Sequence, residues 1–214
     1  IVENYIRTQF EAAAASIQWQ TSRHSKPLVT IVIPVYNGGD LLSRVVERCL
    51  QQDLDAEFEI LVIDSSSTDG CINHLPKDDR IRIHRISKSE FGHGRTRNLG
   101  VNLAHGEFVA FITQDAMPAN QMWLMNLIAP LQADRKVAGV FGCHIAQEGH
   151  SPLTTYDLDQ HFNRWIFRSH RKPIELDESR QIPDAQISNH ERFYSHNNSC
   201  LRKAAWEQVP IPEV

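Results

Sequence analysis

The chain has 214 residues, 41% hydrophobic and 22% charged, which suits a sizeable globular core. Its formal charge of -4 lacks the basic surplus that a nucleic-acid partner requires, so none is expected. No apolar run approaches a membrane span, no signal-peptide pattern opens the chain, and the four cysteines form no CxxC pair. The expectation is therefore a cytoplasmic protein with reduced thiols. The eleven histidines are scattered without an HExxH or HxH pair, so no zinc site is expected.

In chain order, Val2, Ile6, Phe10, Ala13, Ala14 and Ile17 recur near helical spacing, and a polar stretch follows. This predicts an N-terminal amphipathic helix and linker over 1–26, ahead of a main domain over 27–214. Residues 29–34 are apolar and β-branched, as in a strand buried on both faces. A turn at 37–40 leads into a helical pattern through Leu41, Leu42, Val45, Val46, Cys49 and Leu50. A second buried strand over 58–63 stops at Asp64, and 80–86 alternates like a strand with one polar face. A helix over 95–104, a strand over 108–112, a helix over 120–131 and a strand over 137–143 follow. After Ile145 the pattern loosens until about residue 191, with a further strand over 192–201 and a short helix over 202–208. Strand–helix alternation with short connections predicts an α/β three-layer sandwich around a mostly parallel central sheet.

In such sheets ligands bind beyond the carboxyl ends of the strands. Asp64 and Asp115 each end an apolar run, so both carboxylates are expected at that rim, either as ligand groups or as caps of the following turns. Neither GxGxxG nor GxxxxGK[ST] follows the first strand, and no G-x-S-x-G elbow is present. A nucleoside diphosphate held without such loops needs a divalent cation on a carboxylate, with Arg or Lys nearby. Asp115, Arg95 and Arg97 supply those residue types.

Ile31-Val32-Ile33-Pro34-Val35-Tyr36-Asn37 and Leu61-Val62-Ile63-Asp64-Ser65-Ser66-Ser67-Thr68-Asp69-Gly70 are followed by Arg97-Asn98, Ala104-His105-Gly106-Glu107 and Phe111-Ile112-Thr113-Gln114-Asp115. In this order and spacing the chain resembles the family 2 glycosyltransferases of the GT-A fold, the nucleotide-diphospho-sugar transferase type. Phe91-Gly92-His93-Gly94-Arg95-Thr96-Arg97-Asn98 and Thr113-Gln114-Asp115-Ala116-Met117-Pro118 are similar to its bacterial rhamnosyltransferase branch, which uses dTDP-L-rhamnose.

The resemblance implies an inverting transfer from a dTDP- or UDP-sugar to a glycan or polyprenyl-linked acceptor in surface polysaccharide synthesis. By position, Pro34, Tyr36, Asn37, Asp64, Ser65, Arg95, Arg97, Gln114 and Asn198 would line the nucleotide-sugar site, and Asp115 would ligate Mg2+ or Mn2+. Asn197 would stand beside Asn198 on the sugar and acceptor side. The chain departs from the family twice. Ser65 stands where a base-recognising second Asp is usual, and Thr113-Gln114-Asp115 replaces Asp-x-Asp, leaving one carboxylate. The family's acidic base is expected beyond Val214, with Glu213 slightly too early. The resemblance also implies a cytoplasmic protein, free or peripheral at the inner face of the plasma membrane, and leaves the oligomeric state open. Two rival functions are a sugar nucleotidyltransferase and a non-catalytic nucleotide-sugar-binding module. The first would want a basic residue in the loop after the first strand, which Val35-Tyr36-Asn37-Gly38-Gly39 lacks.

Overall fold

A computed structural model describes residues 26–169 and 195–213; the expected N-terminal helix lies outside them. Three apolar runs become the centre of a six-stranded sheet. They are β1 (Val29–Val35), β2 (Phe58–Asp64) and β4 (Phe108–Ile112), and nearly every residue in them is buried. Burial on both faces explains why these strands show no polar alternation. β3 (Ile81–Arg85) lies at an edge and does alternate, with Arg82 and His84 among isoleucines. The strand order is β3-β2-β1-β4-β6-β5, and β3, β2, β1 and β4 run parallel.

β6 (Asn198–Arg202) is antiparallel to β4, pairing Ile112 with Asn198, and β5 (Gly139–Phe141) is antiparallel to β6. The sheet is thus mixed at one end, and β5 is shorter than its sequence pattern predicts. Direction was not readable there, because Asn198-Ser199-Cys200-Leu201-Arg202 has the same composition read either way.

Helices cover both faces. α1 (Gly39–Leu50) and α3 (Trp123–Ala133) bury Leu42, Val45, Val46, Leu124, Ile128 and Leu131 against one face, where Ile31, Ile33, Ile60 and Val62 point. α2 (His93–Leu103) buries Val101 against the other, where Val32, Leu61, Ile63, Val109 and Phe111 point. Successive strand residues supply opposite faces, as a pleated strand requires. Gly100 lets α2 approach β1, since a Cβ there would meet Val32 Cγ1 at 2.6 Å. A short helix, α5 (Lys203–Trp206), follows β6 directly.

At the amino-terminal rim, Glu59 accepts hydrogen bonds from Thr30 Oγ1 (2.7 Å), the His105 amide (2.9 Å) and Arg82 Nη1 (2.8 Å). Burial alone would raise this carboxyl, but its donors, Arg82 foremost, hold it below the usual range.

Among the described residues, 26–141 and 196–213 form one compact unit, and 142–169 with 195 form a second. The second carries α4 (Pro152–Ser169), a helix in a region where the sequence shows no sustained apolar stripe. Leu153 and Tyr156 are 69% and 59% exposed, which accounts for the weak pattern. Among the described residues no helix is long and apolar enough to cross a membrane.

Candidate nucleotide-sugar site

The chain runs β1 to β2 to β3 toward one edge, and β4 returns to the other side of β1. The order therefore reverses between β1 and β4, which places a crevice at their carboxyl ends. The loops after β1, β2 and β4 meet there.

Hydrogen bonds join the first two loops. The Asn37 amide donates to Ser67 Oγ (2.9 Å), the Thr68 amide to Asn37 Oδ1 (2.8 Å) and the Gly39 amide to Asp69 Oδ2 (2.9 Å). Asn37 and Ser66 adopt left-handed backbone, with φ of 50° and 63°. Such non-glycine positions are costly and persist where surrounding bonds impose them. Ser66 Oγ donates to the Ile86 carbonyl, which supplies one such bond. Asp69 also accepts from the Cys71 amide, and hydrogen bonds from Cys71 and Gly39 hold its carboxyl below the ordinary range.

Asp64 ends β2, but its carboxylate is fully buried. Oδ1 accepts from the Ser67 amide and Oδ2 from Arg85 Nε, each at 2.9 Å. Burial pushes this acid upward, yet the bonds from Ser67 and Arg85 outweigh it and its pKa is lowered. Here the carboxylate organises the loop. Ser65 is also buried, its amide donating to the Val35 carbonyl while its Oγ makes no hydrogen bond. Pro34, the partner of Ile63 in the β1–β2 register, contributes backbone to the floor.

The loop after β4 meets the loop after β1 through Gln114. The Tyr36 amide donates to Gln114 Oε1 (2.7 Å), and Gln114 Nε2 donates to the Tyr36 carbonyl (3.1 Å). The Tyr36 ring is partly exposed, and Lys88 Nζ lies 4.8 Å from its centroid and 3.1 Å from its hydroxyl. Lys88 was not singled out from the sequence, although its place just past β3 marks it as a rim residue.

Asp115 is exposed, and Thr113 Oγ1 lies 2.7 Å from its Oδ1. Thr113 is anchored in turn by Asn197 Oδ1, which accepts from the Thr113 amide at 3.3 Å. Among the described residues no group of three His, Cys, Asp or Glu could enclose a metal ion. One exposed carboxylate fits a Mg2+-type ion that keeps waters and takes its remaining ligands from substrate phosphates. Asn198 stands beside it, and its Oδ1 accepts from the Trp123 indole at 2.8 Å.

Arg97 projects from α2 and donates to the His93 carbonyl (2.8 Å). Its Nε is buried without a hydrogen-bond partner, and burial lowers its pKa. Burial, then the nearby Arg97 charge, pushes His196 down to about 4, so that imidazole is neutral near pH 7. A partly desolvated guanidinium suits an anionic ligand. Arg95 is exposed, with Nε 3.7 Å from Glu213 Oε2.

That acid belongs to a clamp the sequence did not reveal. Asn98 accepts from Trp206 Nε1 (2.7 Å) and the Ile211 amide (3.0 Å), and donates to the Ile211 carbonyl (2.8 Å) and Glu213 Oε1 (3.1 Å). Gly94 is required beside it, since a Cβ there would lie 2.0 Å from the Pro212 carbonyl oxygen.

Comparison with known proteins bears on the family and the fold. The chain is 34% identical over 131 residues to the O-antigen chain rhamnosyltransferase WbaN of Salmonella anatum, covering 61% of this chain and 41% of that protein. It is 32% identical over 129 residues to the O-antigen chain rhamnosyltransferase RfbN of Salmonella typhimurium, covering 60% and 40%. The chain thus matches about two fifths of the length of these curated relatives. Among solved structures, S. aureus TarS in complex with UDP superposes with a TM-score of 0.56 at 20% identity, covering 86% of this chain and 50% of that one. The mannosyltransferase PcManGT from Pyrobaculum calidifontis, solved with GDP-Man and Mn2+, gives 0.50 at 23% identity, covering 72% and 45%. These likenesses show the expected GT-A fold. The family model described as glycosyl transferase family 2 matches residues 30–205, and the chain belongs to that family.

Proposed function

We propose that the chain forms the donor-binding part of an inverting glycosyltransferase that moves a sugar from a nucleoside diphosphate to a glycan or polyprenyl-linked acceptor. dTDP-L-rhamnose is the favoured donor and a UDP-hexose the runner-up. The reading is carried by one observation: Tyr36, Asn37, Gln114 and Asp115 converge where the strand order reverses, on loops already joined to one another. The donor preference rests on the two rhamnosyltransferase relatives. The expected product is a bacterial surface polysaccharide, with the enzyme acting in the cytoplasm or at the inner face of its membrane.

In this reading Tyr36 and Asn37 present the wall for the nucleoside, with Pro34 and Ser65 beneath. Arg97 offers its guanidinium charge to the diphosphate, stabilising charge that grows as the sugar departs. Asp115 would hold Mg2+ or Mn2+, which when bound neutralises phosphate charge. Asn197 and Asn198 set the far wall. Glu213 is engaged by Asn98 and Arg95, which sets it apart from the base that the acceptor hydroxyl requires.

A thermal-shift series of dTDP-rhamnose, UDP-glucose, UDP-N-acetylglucosamine, dTDP and UDP, with and without Mn2+, tests the donor assignment, since a true ligand stabilises by mass action. Stabilisation by dTDP-rhamnose and dTDP in the presence of Mn2+ is expected. Stabilisation by UDP sugars alone would overturn the rhamnose preference, and no response to any of them would overturn the function.

A further inference from the structure

Gln114 and Tyr36 are 78 residues apart in sequence, and their pairing is unlike the other loop contacts. A primary amide carries an acceptor and a donor side by side, and both are used on one residue's backbone, at 2.7 and 3.1 Å. The arrangement admits only one orientation of the amide, because reversing it would face like atoms at both contacts. The same backbone carries the ring that Lys88 holds from the β3 side, by its hydroxyl at 3.1 Å and its face at 4.8 Å. Tyr36 is therefore fixed at main chain and side chain before any ligand arrives.

The geometry points to Gln114 as a positioning residue: its amide locks the Tyr36 loop onto the loop that carries Asp115, so that the aromatic wall and the cation-side carboxylate keep one fixed separation. This rests on the nucleotide-sugar reading above and assigns Gln114 a role apart from direct contact with the ligand. Its neighbour Asp115 is placed by Thr113, so the loop after β4 is fixed on both sides. A preformed wall spares the ligand the entropic cost of ordering the loop. No acidic residue can replace the amide. A carboxylate accepts from the Tyr36 N–H but has no proton to give to the Tyr36 carbonyl, and it sets two negative oxygens against one another.

The test uses the full chain and its variants Gln114→Ala and Gln114→Glu, with three readouts: amide exchange at Tyr36 without ligand, affinity for UDP and dTDP with Mn2+, and the melting temperature. In the wild type the Tyr36 amide should be protected. In Gln114→Ala that protection should vanish and nucleotide affinity fall roughly 10-fold, while the melting temperature, set by the buried sheet, stays put. Gln114→Glu should keep Tyr36 protected through its remaining acceptor and still bind nucleotide more weakly than wild type. Unchanged Tyr36 protection in Gln114→Ala would overturn the inference, as would lost protection with unchanged affinity. A ligand-contact role alone would weaken binding without touching the ligand-free exchange pattern. If the wild type binds neither nucleotide, the nucleotide-sugar reading itself fails and takes this role with it, an outcome distinct from failure in the variants alone.

Discussion

Asp64 and Asp115 are both acids at strand ends, yet their surroundings divide them. Asp64 is buried, with both oxygens engaged by Ser67 and Arg85, whereas Asp115 faces solvent beside Thr113. The division gives opposite predictions. Asp64→Ala should destabilise the fold by about 1–3 kcal/mol, because it strips an acceptor from the part-buried Ser67 amide and from Arg85. Denaturant melts of the variant would show it. Because folding depresses the Asp64 pKa, its contribution is complete above its unfolded value of about 3.9 and disappears as pH falls through the folded value. His196 obeys the same sign at higher pH. Its folded pKa of about 4 lies below the ordinary 6.5, so protonation favours the unfolded chain and stability falls between those two values as acid is added. Melts of wild type and His196→Gln over that range should show a steeper pH dependence for the wild type, and parallel curves would contradict the neutral, half-buried imidazole.

At the scale of elements, close approaches set the tolerances. Gly94 is pressed against the Pro212 carbonyl, so Gly94→Ala must push the turn that Asn98 holds away from α2. A loss of about 1–3 kcal/mol is expected, with altered Trp206 fluorescence, since Trp206 bonds to the same Asn98. At the other rim, Glu59→Ala leaves Thr30, Arg82 and the His105 amide without their shared acceptor and should cost about 2–4 kcal/mol in a denaturant melt. These elements also show what a sequence can display. β1, β2 and β4 were legible because burial on both faces leaves only apolar, β-branched choices. α4 was not, since its exposed Leu153 and Tyr156 interrupt any stripe. The rim positions of Tyr36, Asn37, Asp64 and Asp115 followed from strand ends. The Gln114–Tyr36 and Asn98–Ile211 pairings did not, because contacts across 78 and 113 residues leave no periodic mark.

At the scale of the whole molecule, the reversal of strand order between β1 and β4 makes a site from loops that are distant in sequence. The joined loops, the desolvated Arg97 and the exposed Asp115 are the parts a nucleoside diphosphate with one divalent cation requires. Calorimetric titration of dTDP and UDP into the wild type and Asp115→Asn, each with and without Mn2+, tests that claim most directly. The account predicts that the wild type binds at least one of them, that Mn2+ strengthens the binding, and that Asp115→Asn loses the Mn2+ effect while melting at the wild-type temperature. Equal affinity and an equal Mn2+ effect in the variant would contradict the assignment of Asp115. A folded wild type that binds neither nucleotide would contradict the site.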